Sequence, residues 1–166
     1  MNELKEDTLA QLIERGGIYY DVSGSTRKEI IANVIDGLQD NLLPNKKEAL
    51  FQAVMEREAL ISTGMENGIA LPHPRTPMLE ADEKPFAVIS FPLSAVSDWP
   101  TPDNNKVNAV FLIVSKSPKQ HLGVMSRISF LCQQEKFYKL LSARASKDKI
   151  IAEIKKAETE WQGEKV

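Results

Sequence analysis

The sequence is poor in the residues that cross-link small proteins. It contains one cysteine, Cys132, and two histidines, His73 and His121. A single cysteine cannot form a disulfide within the chain. One cysteine and two histidines also cannot complete a four-ligand zinc site of the usual Cys/His type. The composition therefore excludes a disulfide framework and a structural zinc site of that type.

The sequence also lacks an excess of charge of either sign and lacks long apolar runs. Its 21 basic and 23 acidic residues give a net charge of −2, which disfavours nucleic acid and anionic membranes as partners. The apolar runs, such as residues 110–114, fall far short of the roughly 20 residues of a membrane-spanning helix. The first residues, MNELKEDTL, do not follow the basic-then-apolar order of a signal peptide. These absences predict a cytoplasmic protein.

The remaining composition predicts one α/β domain. The chain has 166 residues, 42% of them hydrophobic, which suffices for one core over residues 1–166. Hydrophobic spacing predicts helices at 4–16, 26–42, 46–60, 119–143 and 147–161, and strands at 17–22, 69–72, 85–93 and 107–115. The connection between the last two strands is too short for an obvious crossover helix, so these strands should pair antiparallel. The predicted fold is a single-domain sandwich with a mixed (parallel/antiparallel) β-sheet flanked by helices.

Helix ends and buried faces can also be predicted. Thr26 with Glu29, and Asn45 with Glu48, have the spacing of a capping box, and Ser146 is a candidate N-cap for the last helix. Two apolar sets should face the core: Leu4, Leu9, Leu12 and Ile13 in the first helix, and Ala49, Leu50, Ala53, Val54 and Leu60 in the third.

The segment GIALPHPRTP, residues 68–77, is the most unusual part of the sequence. It places His73 between Pro72 and Pro74, and a residue that precedes proline is held out of the helical region. His73 should therefore leave a strand end on a stiff, extended backbone, where α/β proteins often carry reactive groups. The alternative is a structural histidine whose ring is satisfied by a carbonyl beneath the proline-rich turn.

Two further residues stay open on spacing alone. His121 lies near the start of a predicted helix, where it can either meet His73 across the fold or be solvated in the first helical turn. Arg57 lies 16 positions before His73 and can be an ordinary exposed arginine. Sequence spacing does not decide between these alternatives.

The run from Arg57 through STGMENGIALPHPR resembles the signature of the type 2 (mannitol/fructose) enzyme IIA domains of the bacterial phosphoenolpyruvate-dependent phosphotransferase system, which include nitrogen-regulatory members. The central motif is GIALPH after a serine/threonine–glycine turn. The likeness extends to KEIIANVIDGL, VFLIVS and HLGVMSRIS, and covers about residues 4–157. It implies that one such domain accounts for the chain.

The resemblance also implies a site and a reaction. The histidine of the family motif carries the phosphoryl group, which assigns that role to His73, with Arg57 and His121 completing the site. Imidazole nitrogen is a good nucleophile at neutral pH, and a guanidinium can hold phosphoryl oxygens through charge-assisted bonds. This chemistry requires no metal and no cofactor. Pro74 departs from the small residue usual after the active histidine and removes a backbone N–H from the site.

The resemblance implies a phosphoryl carrier with either a regulatory role or a role in sugar uptake. The donor is a histidine-containing phosphocarrier protein, and the acceptor is either a regulatory target protein or the cysteine of an enzyme IIB domain. Because no IIB, IIC or transcription-factor domain accompanies the sequence, we expect the nitrogen-regulatory type, with sugar uptake as the alternative. A scaffold without chemistry would require an inert His73. For a carrier, we expect His73 in a shallow depression with an apolar rim formed by Met65, Pro74, Pro77 and Met78. The alternative is that Met65 and Met78 fold inward and cover the core.

Overall fold

The computed structural model describes residues 6–164. These residues form a four-stranded sheet and six α-helices, with a 3-10 turn at Glu66–Gly68 before the second strand. Predicted core residue Leu4 lies outside the described residues. Within residues 6–164, no helix has the length and apolar character needed to cross a membrane. The elements are α1 (Leu9–Gly16), β1 (Ile18–Val22), α2 (Arg27–Asp36), α3 (Lys47–Leu60), β2 (Ile69–Ala70), β3 (Phe86–Pro92), β4 (Ala109–Val114), α4 (Pro118–Gln133), α5 (Glu135–Ser142) and α6 (Lys147–Glu164).

The sheet has the strand order β1-β3-β4-β2. Its two central strands, β3 and β4, pair antiparallel, with Phe86 opposite Val114 and Ser90 opposite Val110. The outer strands pair parallel, β1 with β3 and β2 with β4. The predicted mixed sheet with one antiparallel pair is therefore confirmed.

Side chains on the central strands alternate between two hydrophobic layers, as expected for strands covered on both faces. Phe111 and Ile113 of β4 pack in one layer with residues of α1, α4, α5 and α6. Val110 and Leu112 point the other way and pack with residues of α2 and α3. The predicted α/β sandwich follows directly from this alternation, and β3 and β4 are buried over their whole length.

The helix N-caps agree with the predictions at two of three positions. Thr26 accepts a hydrogen bond from the Glu29 N–H at 3.2 Å, and the Ser146 hydroxyl accepts from the Lys149 N–H at 3.4 Å. The predicted cap at Asn45 is wrong, because α3 has Lys46 as its N-cap, without a side-chain cap bond. Asn45 instead has a φ of 60°, a left-handed conformation that asparagine tolerates in turns and that a side-chain N-cap does not use.

Other local predictions require correction. The predicted helices 4–16 and 26–42 are too long, because α1 begins at Leu9 and α2 ends at Asp36. The predicted helix 119–143 is divided at Gln134, whose ψ of 123° interrupts the helical hydrogen bonding; α5 begins immediately after it and buries Phe137 and Leu141. In α3, Ala49 is exposed and Leu60 is 63% exposed, whereas Leu50, Val54 and Glu58 are buried. The buried face of α3 therefore ends in a carboxylate.

Gly16 permits the close approach of α1 to β3. A Cβ atom on Gly16 would overlap the carbonyl oxygen of Ala87. We expect Gly16→Ala to lower the free energy of unfolding by about 2–3 kcal/mol, because the helix or the strand must move. Gly123→Ala in α4 is the matched control, since its Cβ meets nothing within 4 Å. Urea denaturation of both variants measures the difference, and equal stability of the two would contradict the close packing at Gly16.

Candidate functional site

The two predicted histidines come from neighbouring strand ends. β2 and β4 are parallel, so their carboxyl ends lie at the same edge of the sheet. Beyond β2, the chain continues through Pro72 to His73, and the Pro72 carbonyl accepts a hydrogen bond from the Ile113 N–H at 3.1 Å. Beyond β4, a short connection leads to α4 and to His121 in its first turn. The topology therefore brings together residues that are 48 positions apart in the sequence.

His73 is held by a hydrogen bond to its own strand. Its Nδ1 lies 2.8 Å from the carbonyl oxygen of Leu71. A carbonyl oxygen can only accept, so Nδ1 carries the proton in the neutral ring and Nε2 carries the lone pair. The ring is thus satisfied by a carbonyl, as in the structural alternative, yet the same bond presents Nε2 as a nucleophile.

His121 is placed by the start of α4. Ser117 is the N-cap and accepts from the Gln120 N–H at 3.1 Å, and Pro118 occupies the first helical turn, where its missing N–H costs nothing. The centroids of the His73 and His121 rings are 4.3 Å apart, with the ring planes inclined by 43°. The structure therefore favours the first of the two alternatives for His121, a meeting with His73.

Arg57 lies in the last turn of α3, and its Nη1 donates to the Ile61 carbonyl at 2.7 Å. Its positive charge acts on both imidazoles. Burial, the protonated form of His73 and then Arg57 lower the pKa of His121 to about 4. Burial also lowers the pKa of His73, with Arg57 contributing, while the Leu71 hydrogen bond and the Glu58 charge oppose the shift. Both rings are therefore neutral near pH 7, the state in which an imidazole nitrogen can act as a nucleophile.

The surroundings of His73 differ from the expected shallow depression with a methionine and proline rim. The His73 side chain is only 8% exposed, and Pro74 is also buried. Met65 and Met78 are partly buried against the two core layers, and Pro77 is exposed. A cavity of about 230 Å³, lined by loop 74–77 on one side and by the start of α4 on the other, borders His121.

The sequence analysis did not predict the exposure of three apolar side chains that lie close in the sequence to candidate site residues. Leu60 and Ile61 are 63% and 68% exposed and follow Arg57 at the end of α3. Leu122 is 68% exposed and follows His121. The sequence contained a clue to them, because Leu122 directly follows His121, and Leu60 and Ile61 lie three and four positions after Arg57. The prediction that Leu60 faces the core is therefore wrong.

Comparison of the sequence with known protein families gives one match that covers most of the chain. Residues 11–157 match the family described as "Phosphoenolpyruvate-dependent sugar phosphotransferase system, EIIA 2". The chain belongs to this EIIA 2 family. The nitrogen regulatory protein of Bradyrhizobium diazoefficiens is 31% identical over 109 residues, which cover 64% of this chain and 67% of that protein. The fructose-specific EIIABC component of Bacillus subtilis is 26% identical over 145 residues, which cover 86% of this chain and only 22% of that larger protein.

Solved structures show the EIIA 2 fold as well. The nitrogen regulatory protein IIA-Ntr from Neisseria meningitidis superimposes with a TM-score of 0.74 at 20% identity, covering 87% of this chain and 97% of that chain. The IIA component in the complex of mannitol enzyme IIA with phosphorylated enzyme IIB from Escherichia coli gives a TM-score of 0.63 at 20% identity, covering 82% and 92%. At these identities the likeness shows a shared fold.

The electrostatic coupling of the three residues can be tested by NMR titration. We expect the His121 imidazole to titrate with a midpoint near pH 4 and His73 to titrate below its usual range. Arg57→Gln should raise the pKa of both histidines, because it removes a positive charge that disfavours their protonation. Lys149→Gln, which removes an exposed charge on α6, is the control and should shift neither. An unchanged titration of both rings in Arg57→Gln would contradict a shared site.

Proposed function

We propose that this EIIA 2 protein is a cytoplasmic phosphohistidine carrier in which His73 accepts a phosphoryl group from a histidine-containing phosphocarrier protein. The observation that carries the proposal is the bond between His73 Nδ1 and the Leu71 carbonyl. This bond leaves the Nε2 lone pair free to attack phosphorus. A second histidine ring lies next to His73, and the positive charge of Arg57 acts on the His73 imidazole. Family membership supports the same assignment.

The transfer step can be written with the donor phosphohistidine and the side chains of His73, Arg57 and His121 alone. The Nε2 lone pair of His73 attacks the phosphorus of the donor phosphohistidine, forming one N–P bond while the donor N–P bond breaks and its electron pair returns to the donor imidazole. The His73 Nδ1 proton stays on its nitrogen and is donated to the Leu71 carbonyl throughout. The donor phosphohistidine carries a proton on the ring nitrogen that does not bear phosphorus, so the donor leaves as a neutral imidazole and no proton moves between the two proteins. In a loose transition state the equatorial oxygens carry the charge. Arg57 and an N–H of His121 are the groups proposed to stabilise them.

The surface around the pair suits a protein donor. Leu60 and Ile61 follow Arg57 in the chain, Leu122 follows His121, and all three are exposed apolar side chains. We propose that they form the contact site for the donor, because contiguous exposed apolar surface is typical of such sites. Because His73 itself is nearly buried, we propose that the donor imidazole reaches it by inserting between these apolar side chains. Pro74 has no backbone N–H with which to bind phosphate. Arg75, which is exposed and lines the cavity that borders His121, is proposed to supply a positive charge for the phosphate instead.

Phosphorylation of His73 can be tested directly. Incubation with phosphoenolpyruvate and the general phosphotransferase proteins should label the wild type with an acid-labile, base-stable phosphate. His73→Ala should remain unlabelled, because it removes the nucleophile. His121→Ala is the matched control and should still be labelled, more slowly. Labelling of His73→Ala equal to that of the wild type would refute the assignment.

The contribution of Arg57 should appear in the rate. A charge-assisted bond to phosphoryl oxygen is worth about 2 kcal/mol, so Arg57→Ala should slow phosphorylation about 30-fold. Arg57→Lys keeps the charge and loses the planar guanidinium, so its phosphorylation rate should lie between those of the wild type and Arg57→Ala. Glu56→Gln, an exposed change on the same helix, should leave the rate unchanged. Rapid-quench measurement at fixed donor concentration gives these values, and a wild-type rate for Arg57→Ala would exclude the role.

The acceptor is proposed to be a regulatory target protein rather than a sugar-transport domain. Supporting this preference are the Bradyrhizobium relative named a nitrogen regulatory protein and the Neisseria IIA-Ntr fold. The second candidate, transfer to a IIB cysteine, is supported by the Escherichia coli complex of mannitol enzyme IIA with phosphorylated enzyme IIB. Adding a mannitol-type or fructose-type IIB domain to the phosphorylated protein separates the two. Rapid loss of label to the IIB cysteine would favour the second candidate.

A further inference from the structure

Glu58 is a carboxylate in a row of core positions. Leu50, Val54 and Glu58 follow one another at four-residue spacing along α3, and each is at most 2% exposed. A buried carboxylate is costly unless it is paired and hydrogen-bonded. Arg27 of α2 supplies the charge partner, with its Nη1 3.2 Å from Glu58 Oε2.

The remaining partners of Glu58 belong to the loop that follows α3. The Thr63 backbone N–H donates to the carboxylate, with oxygens at 3.2 and 3.4 Å, and the Thr63 hydroxyl donates to the same group. Thr63 is itself buried. Glu58 therefore joins α2, α3 and the residue Thr63 at one point.

Thr63 is in turn connected to the segment that carries His73. Its carbonyl accepts from the Leu71 N–H at 3.1 Å, and Gly64 next to it pairs with Ala70 of β2. The Leu71 carbonyl is the group that binds His73 Nδ1 at 2.8 Å. Both backbone polar groups of Leu71 are thus fixed, one by Thr63 and one by the His73 ring.

We propose that Glu58 is a positioning residue for His73: through Thr63 and Leu71 it holds the imidazole in its Nδ1-protonated form and directs Nε2 toward the site. Glu58 does not take part in the transfer itself. Its effect on phosphotransfer rests on the function proposed above, whereas its effect on the His73 ring does not. The negative charge of Glu58 also opposes the lowering of the His73 pKa by burial and Arg57, which gives the role a second signature.

Imidazole ¹⁵N chemical shifts report the ring state without any phosphotransfer. In the wild type, His73 at pH 7.5 should show a protonated Nδ1 and an unprotonated Nε2. In Glu58→Gln, the two tautomers should mix, because the amide has one acceptor oxygen where the carboxylate has two and cannot accept from both Arg27 and Thr63 in the same arrangement. The pKa of His73 should fall, because the negative charge is lost. Glu56→Gln, an exposed neighbour on α3, should match the wild type in both measurements.

A second pair of variants keeps the test independent of the stability of Glu58→Gln. Thr63→Val removes the hydroxyl donor and keeps the Glu58 charge. It should therefore mix the tautomers but lower the pKa of His73 less than Glu58→Gln does. Thr63→Ser keeps the hydroxyl and should restore the wild-type ¹⁵N shifts. Since small displacements of a reacting group are costly, Glu58→Gln and Thr63→Val should slow phosphorylation of His73 by about 10-fold to 100-fold.

The outcomes separate this proposal from the proposed function. Wild-type ¹⁵N shifts and rates in folded Glu58→Gln and Thr63→Val would overturn the positioning role. Should Glu58→Gln not fold, wild-type shifts in Thr63→Val alone would overturn it. Mixed tautomers in the variants together with an unlabelled wild type would support the positioning role and refute phosphotransfer at His73.

Discussion

The parallel pairing of β2 with β4 is the constraint on which the site depends. β2 contains only Ile69 and Ala70, yet its register against β4 decides where the following residues emerge. The bond from the Ile113 N–H to the Pro72 carbonyl continues this pairing past the end of β2. Proline cannot donate to the ladder, but here only its carbonyl is used, so Pro72 stiffens the approach to His73 without losing a hydrogen bond.

The chemistry of the site depends on the protonation state of its two imidazoles. The Leu71 carbonyl fixes one nitrogen of His73, and burial together with Arg57 keeps the ring neutral. His121 is neutral for the same reasons. Two neutral imidazoles can lie with centroids 4.3 Å apart, whereas two protonated ones would repel each other. A depressed pKa is thus a condition for the close approach as well as for nucleophilicity.

The sequence allowed the layers and the family to be predicted, because these depend on local pattern. β3 and β4 are visible in the sequence as nearly continuous apolar runs of strand length, as expected for strands covered on both faces, and GIALPH is a short motif. The contact between His73 and His121 could not be derived from spacing, since it depends on which strands are neighbours. Gln134 carries no glycine or proline signal, and the helix breaks there as Phe137 enters the core. The buried position of Glu58 could have been inferred from its four-residue spacing after Leu50 and Val54.

Within residues 6–164, the sheet offers little regular edge for another strand to join. On the β2 side, the segment from Thr63 to Met65 already occupies the outer hydrogen-bonding groups of Ile69 and Leu71. On the β1 side, the ladder is irregular between Tyr19 and Val22, and Asp21 has a φ of 54°. Bulged, charged or covered edges prevent chains from adding to one another by strand pairing. These features of both edge strands disfavour self-association of the chain through backbone hydrogen bonds.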